Sequence, residues 1–202
     1  VDIGHPGLGL SDLEGFFGSF RGVSPLLVSD YDGTLAPFRR ERSEAVPSEE
    51  TKDLLQRILE AGGEFLLLTG REASEAASLL GVPAEIWGSH GWQRRSPGGD
   101  TVTVPLSAAE ERALLLLPDL FRAFPPEAVE RKPVSAALHW RERPEVLEQY
   151  GKFEESILER ASQAGLERLP FDQGIEFRLP SCTKGVAMKR ILAARSFRDP
   201  VC

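Results

Sequence analysis

Asp30 and Asp32 stand one residue apart at the end of a short apolar run, Leu26-Leu27-Val28-Ser29, and are followed by Gly33-Thr34-Leu35. Strand residues alternate faces, so acids at i and i+2 turn their carboxylates to the same side. Carboxylates that close repel, and one of them holds a proton unless a cation neutralises the pair. A bound Mg²⁺ with oxygen ligands meets that need, leaving one carboxylate as a nucleophile and the other as an acid/base. Gly33 permits a sharp turn off the strand end, and the Thr34 hydroxyl can satisfy nearby backbone groups. An ordinary acidic turn would carry the same Asp-Gly pair. The apolar strand immediately before it, at the rim where open α/β sheets bind ligands, favours a site.

Three other places carry residues of the same kind. Thr69 follows a strand pattern over residues 64–68 and precedes Gly70-Arg71-Glu72 and a helical pattern. A hydroxyl there lies among free N–H groups that favour an anion such as a phosphoryl group, or it caps the helix. Gly88-Ser89-His90-Gly91 follows a strand over residues 84–87 and fits a tight loop with close backbone approach; a surface turn would look the same. Lys184-Gly185 opens the helical series Val186, Met188, Ile191 and Leu192, where an ammonium would stabilise negative charge developing in a transition state; a lone exposed lysine is the ordinary alternative.

The elements that must position these residues read as strand, helix, strand, helix, strand, the rhythm of a parallel sheet. Leu13, Phe16, Phe17 and Phe20 have the spacing of an opening helix. Residues 36–47 are polar and bracketed by prolines, a loop at the mouth of the site. Ser48 with Glu49 and Glu50 starts a helix whose apolar face is Leu54, Leu55, Ile58 and Leu59, and Gly62-Gly63 ends it.

From residue 107 the rhythm changes. Ala113, Leu117, Leu120, Phe121 and Phe124 mark a helix that Pro118 should kink. Strands over 128–132 and 134–140 meet at Pro133, and a helix opening at Pro144 carries Val146, Tyr150, Phe153 and Ile157 on one stripe. Strands over 166–171 and 175–179 flank Asp172-Gln173-Gly174. The expected fold is therefore α/β, a Rossmann-like parallel-sheet core in residues 1–106 and 181–202 interrupted by an α+β cap domain in 107–180.

The chain has 202 residues, 41% of them hydrophobic and 27% charged, enough to bury a sizeable core. Its net charge of -7 argues against a nucleic-acid surface, so a phosphorylated ligand would be drawn in by a local cluster of cations. Cys182 and Cys202 show neither metal-site spacing nor a disulfide framework, and His5, His90 and His139 are isolated, which argues against zinc. With no apolar run of membrane-spanning length and no signal-peptide pattern, a cytoplasmic protein without a membrane partner is expected.

Asp30-Tyr31-Asp32-Gly33-Thr34-Leu35 resembles the nucleophile motif of the haloacid dehalogenase superfamily of phosphohydrolases, and the intervening Tyr resembles its trehalose-6-phosphate phosphatase branch. Thr69-Gly70-Arg71 resembles the second motif, and Gly88-Ser89-His90-Gly91 the branch's Gly-x-His-Gly. Glu130-Arg131-Lys132, Ser135 to Arg141 and Glu176-Phe177-Arg178-Leu179-Pro180 resemble its cap segments and the return to the core, which leads on to Lys184-Gly185. The resemblance implies a core of haloacid dehalogenase type and Mg²⁺-dependent hydrolysis of trehalose 6-phosphate through an aspartyl-phosphate. It implies Asp30, Asp32, Thr69 and Lys184 as catalytic residues and Asp30 and Asp32 as metal ligands. It also implies Gly70, Arg71, His90, Glu130, Lys132, Glu176 and Arg178 as substrate-binding residues. Without it, Glu130 and Lys132 read as a solvated strand face. Another sugar phosphate, such as sucrose phosphate or mannosylglycerate phosphate, fits the same motifs, as does a non-catalytic sugar-phosphate-binding module.

The pattern departs from the superfamily at its end, where a fourth, acidic Gly-Asp-Asp type motif is expected. After Lys184 the only acid is Asp199, and Pro200-Val201-Cys202 resembles the start of the strand that precedes that motif. The expectation is a natural chain that continues past Cys202, with the added strand beside that of Asp30, whose edge is otherwise unpaired.

Overall fold

A computed structural model describes residues 26–39 and 41–195, so the expected opening helix lies outside the described residues. Strands β1 (Leu26–Ser29), β2 (Glu64–Leu68) and β3 (Glu85–Gly88) run parallel and side by side, as the alternating pattern predicts. Helices α1 (Glu49–Glu60) and α2 (Ala73–Leu80) make the two crossovers. The Ser48 hydroxyl accepts the Thr51 N–H at the start of α1, and Gly81, at φ +68°, ends α2 in a left-handed cap. Leu54 of the expected apolar face is 55% exposed, and Leu55 is the residue that enters the core.

β2 is an unbroken apolar run because both its faces are covered. Phe65 and Leu67 join Tyr31, Leu55, Ala76, Leu80 and Ile86 on the α1–α2 side. Leu66 and Leu68 join Trp87, Ala187 and Ile191 on the other, against α5 (Lys184–Ala194). Each fully buried leucine contributes about 2 kcal/mol of apolar transfer, which fixes the register of the strands that carry the site.

Two further strands, β4 (Gln93–Arg95) and β5 (Thr101–Thr103), extend the sheet antiparallel beyond β3. Each is only three residues long, and apart from Val102 their residues are polar, so backbone pairing to the β3 edge recruits them. Among the described residues β1 stands at the opposite edge.

Between β5 and α5 a second sheet forms with the order β6-β7-β9-β8, antiparallel throughout. It comprises β6 (Val129–Lys132), β7 (Ser135–His139), β8 (Glu167–Phe171) and β9 (Gly174–Arg178), backed by α3 (Ala108–Leu120) and α4 (Pro144–Gln163). Ser107 and Glu110 close a capping box on α3. The kink expected at Pro118 has little helix left to bend, because α3 ends two residues later and the hydrogen bond that proline removes lies in the last turn. On α4, Val146, Tyr150 and Ile157 are buried, whereas Phe153 at 44% exposure flanks the core beside Phe124.

The sheet has two unlike faces. Ala136, Leu138, Ile175 and Phe177 turn toward α3 and α4. The alternate row, Glu130, Lys132, Ser135, Ala137, His139, Glu176 and Arg178, shares the other face, as the register Glu130↔Ala137↔Glu176 and Lys132↔Ser135↔Arg178 requires.

One glycine ties the first sheet to α5. Gly91 has φ +93°, and a Cβ there would stand 2.1 Å from the Ala187 Cβ. Gly91→Ala is expected to lower unfolding free energy by about 2–4 kcal/mol, from left-handed strain and overpacking together, measured by urea unfolding. A loss under about 0.5 kcal/mol would contradict this packing.

Candidate active site

β1 ends at Ser29, one residue before the first acid, so both acids sit on the turn just beyond the strand. Tyr31 between them is fully buried and donates its hydroxyl to the Ala45 carbonyl at 2.8 Å. That anchors the turn from below and leaves Asp30 and Asp32 half-exposed on the rim. Gly33, at φ +76°, then reverses the chain, with its N–H on the Ala36 carbonyl.

The two carboxylates meet different cations. Asp30 Oδ2 lies 2.6 Å from Lys184 Nζ, and its Oδ1 accepts the Tyr31 N–H at 2.7 Å. Lys184 is the first residue of α5, whose N-terminus the Thr183 hydroxyl caps by accepting the Val186 N–H. Asp32 receives both arms of the Arg71 guanidinium, Nε to Oδ2 at 2.9 Å and Nη2 to Oδ1 at 2.7 Å.

Thr69 is 1% exposed at the end of β2. Its hydroxyl oxygen accepts the Arg71 N–H at 3.1 Å and keeps its own hydrogen to donate. The residue capping α2 is Glu72, without a side-chain bond, so the helix-capping alternative for Thr69 does not hold. Ser89 and His90 both adopt left-handed backbone, and their N–H groups bond the Arg71 and Thr69 carbonyls at 2.6 and 2.9 Å. The Gly-Ser-His-Gly loop thus pins the Thr69 turn, and a Cβ on Gly70 would come within 2.6 Å of the His90 ring.

His90 also faces the second sheet. Burial first, then Lys132, Arg178 and Lys184, hold its pKa below the ordinary 6.5, with Glu176 opposing. On that face Lys132 bridges Glu176 and Glu130 at 3.3 and 3.6 Å, and His139 Nε2 stands 3.3 Å from Glu130. The His139 hydrogen bond, with Lys132 and Arg42, brings the Glu130 pKa down to about 2. Arg42, from the mouth loop of the first sheet, donates directly to Glu130. The buried Glu176 Oε1 and Ser135 Oγ have no hydrogen-bond partner among the described residues.

Two expected substrate ligands are engaged otherwise. Arg71 is 3% exposed, enclosed by Asp32, Glu75 and the Arg42 carbonyl, because the side chain folds back under the rim rather than out of it. Arg178 pairs with Glu167 of the adjacent strand at 2.9 Å. Sequence reasoning assigned no role to Arg42, Glu75 and His139; His139 fell within a quoted motif, whereas Arg42 and Glu75 carry no signal apart from charge.

For a metal, the side-chain oxygen donor open at the rim is the Asp30 carboxylate beside Lys184, since the Asp32 carboxylate is held by Arg71. No group of three or more His, Cys, Asp or Glu side chains fit to hold a metal ion occurs among the described residues. A sparse, all-oxygen set suits Mg²⁺, which keeps several waters and combines one or two carboxylates with phosphate oxygens.

Solved structures that share this fold include hydrolases of haloacid dehalogenase type. A B. subtilis haloacid dehalogenase-like hydrolase is similar over 84% of this chain and 78% of its own, at TM-score 0.54 and 16% identity. The C-terminal domain of C. albicans trehalose-6-phosphate phosphatase is similar over 83% of this chain and 61% of its own, at TM-score 0.64 and 21% identity. The profile of the trehalose-phosphatase family matches residues 28–200, and the chain belongs to that family. Among curated relatives, the bifunctional trehalose-6-phosphate synthase/phosphatase of Thermoproteus tenax is 28% identical over 173 residues, 83% of this chain and 24% of its own length. The Dictyostelium discoideum alpha,alpha-trehalose-phosphate synthase [UDP-forming] B is 28% identical over 174 residues, 81% of this chain and 22% of its own. The chain thus spans about a quarter of the curated relatives it matches. No described helix is long and apolar enough to cross a membrane.

The depressed His90 pKa has a consequence for stability. Below pH 6.5 the unfolded chain takes up a proton that folded His90 resists, so the stability it contributes is complete above pH 6.5 and is lost as pH falls through that value toward the lower folded pKa. Melting temperature measured from about pH 8 to about pH 5 is expected to fall less steeply in His90→Asn than in the wild type. Identical slopes would contradict a buried, neutral His90.

Proposed function

We propose that this chain hydrolyses trehalose 6-phosphate, with Asp30 as nucleophile and Asp32 as acid/base. The observation that carries the reading is the Asp30 carboxylate at the strand rim, 2.6 Å from the Lys184 ammonium, with a second carboxylate two residues on.

Asp30 attacks phosphorus in line and forms an aspartyl-phosphate while the sugar oxygen leaves. Asp32 gives that oxygen a proton, then takes one from the water that hydrolyses the intermediate. The Thr69 hydroxyl and the Lys184 ammonium hold phosphoryl oxygens, so charge that develops in the transition state meets donors already in place. Mg²⁺, held by the Asp30 carboxylate and the Asp32 carbonyl, would offset the charge of the phosphate and the nucleophile.

The insert acts as a cap whose polar face reads the sugar. Glu130, Lys132 and Glu176 present acceptors and donors suited to hydroxyls, with His90 below them. The unpartnered Glu176 Oε1 supports this reading, because a buried carboxylate oxygen left unpaired costs about 1–3 kcal/mol or more that a sugar hydroxyl would recover. Arg42 competes for Glu130 until the sugar arrives.

Phosphate release from trehalose 6-phosphate is expected to require Mg²⁺ and to fall at least about a thousandfold in Asp30→Asn with the fold intact. Near-wild-type release in that variant would remove the assignment. Glu130→Gln is expected to raise KM about tenfold to a hundredfold with a smaller change in kcat, read from initial rates. A panel of sugar phosphates in which trehalose 6-phosphate is not preferred would redirect the substrate assignment.

A further inference from the structure

Arg71 is held more tightly than a surface ion pair requires. Nε and Nη2 go to the two oxygens of Asp32, and Nη1 goes to Glu75 at 2.7 Å and to the Arg42 carbonyl at 2.9 Å. The guanidinium lies 5.0 Å from the centroid of the buried Tyr31 ring. Glu75 sits on α2, the Arg42 carbonyl on the mouth loop and Tyr31 in the turn between the acids, so three separate segments fix the plane of the fork. At 3% exposure it is not a substrate ligand in this conformation.

We propose that Arg71 is a positioning residue that aims the Asp32 carboxylate. The inference rests on the acid/base role of Asp32 given above. A guanidinium bonded to both oxygens fixes where the carboxylate is and how its plane is turned, whereas an ammonium fixes only one point. Proton transfer is sensitive to that difference, since a misplacement of about 1 Å can cost about a hundredfold in rate. As the P–O bond breaks, its electron pair stays on the sugar oxygen, which takes the proton that Asp32 delivers, and the carboxylate held in the fork is the base that then accepts a proton from water.

Substrates with different leaving groups separate positioning from general support of the fold. The sugar alkoxide of trehalose 6-phosphate needs a proton to leave, whereas the phenolate of p-nitrophenyl phosphate does not. Arg71→Lys is expected to lower kcat on trehalose 6-phosphate about tenfold to a hundredfold with KM within about twofold, and to leave the p-nitrophenolate burst rate within about threefold of wild type. In an Asp32→Asn background, Arg71→Lys should add no more than about twofold. Circular dichroism checks the fold, and the smaller, uncharged Arg71→Gln is measured alongside and should follow the same pattern. Equal losses on both substrates, additive losses in the double variant, or a raised KM with unchanged kcat would overturn the proposal. Full turnover by Asp32→Asn on both substrates would instead remove the acid/base reading beneath it.

Discussion

Carboxylates two residues apart on one rim repel, and much of this structure serves to give each its own cation. Asp30 meets Lys184, which arrives from the far end of the described chain on the first turn of α5. Asp32 meets Arg71, which arrives from the turn after β2. Neither partner is near in sequence, so the pairing depends on the register of β1 against β2 and on the seating of α5 across the sheet. Tyr31, buried between the two acids, holds them apart as well as in place.

The second sheet answers a different constraint. Its apolar face has to be covered by α3 and α4, and period-2 alternation then commits every second residue to the opposite face. Most of those residues are polar or charged, and they lie over a rim that is itself charged. Lys132 therefore bridges Glu130 and Glu176 within the face, His139 bonds Glu130, and Arg42 reaches across from the mouth loop. A polar layer between two sheets can exchange its hydrogen bonds for those of a polar ligand at modest cost, whereas an apolar interface would seal. The orphaned Glu176 oxygen is where that balance is incomplete.

Much of this was legible in the sequence, for identifiable reasons. The β1–β2–β3 core is visible because strands buried on both faces must be apolar runs, and the acids and Thr69 mark where those runs stop. The β6–β7 and β8–β9 hairpins are visible through alternation and through Pro133 and Asp172-Gln173-Gly174. β4 and β5 are hard to read because Gln93-Arg94-Arg95 carries no apolar residue and the alternation of Thr101-Val102-Thr103-Val104 is too short to stand out. Spacing locates the Arg71 Cα beside Thr69, but which way a long side chain folds depends on Glu75, the Arg42 carbonyl and the Tyr31 ring, none adjacent to it. Arg42 sits in a polar loop where one more arginine carries no signal, and only the approach of β6 gives it a partner.

Covalent participation by Asp30 is tested most directly by trapping the intermediate. Enzyme mixed with phosphate-labelled trehalose 6-phosphate and Mg²⁺, quenched in acid during turnover and mapped by peptide mass, should carry the phosphoryl group on Asp30, and Asp30→Asn should carry none. Turnover that leaves Asp30 unlabelled, or a label that persists elsewhere in Asp30→Asn, would contradict it.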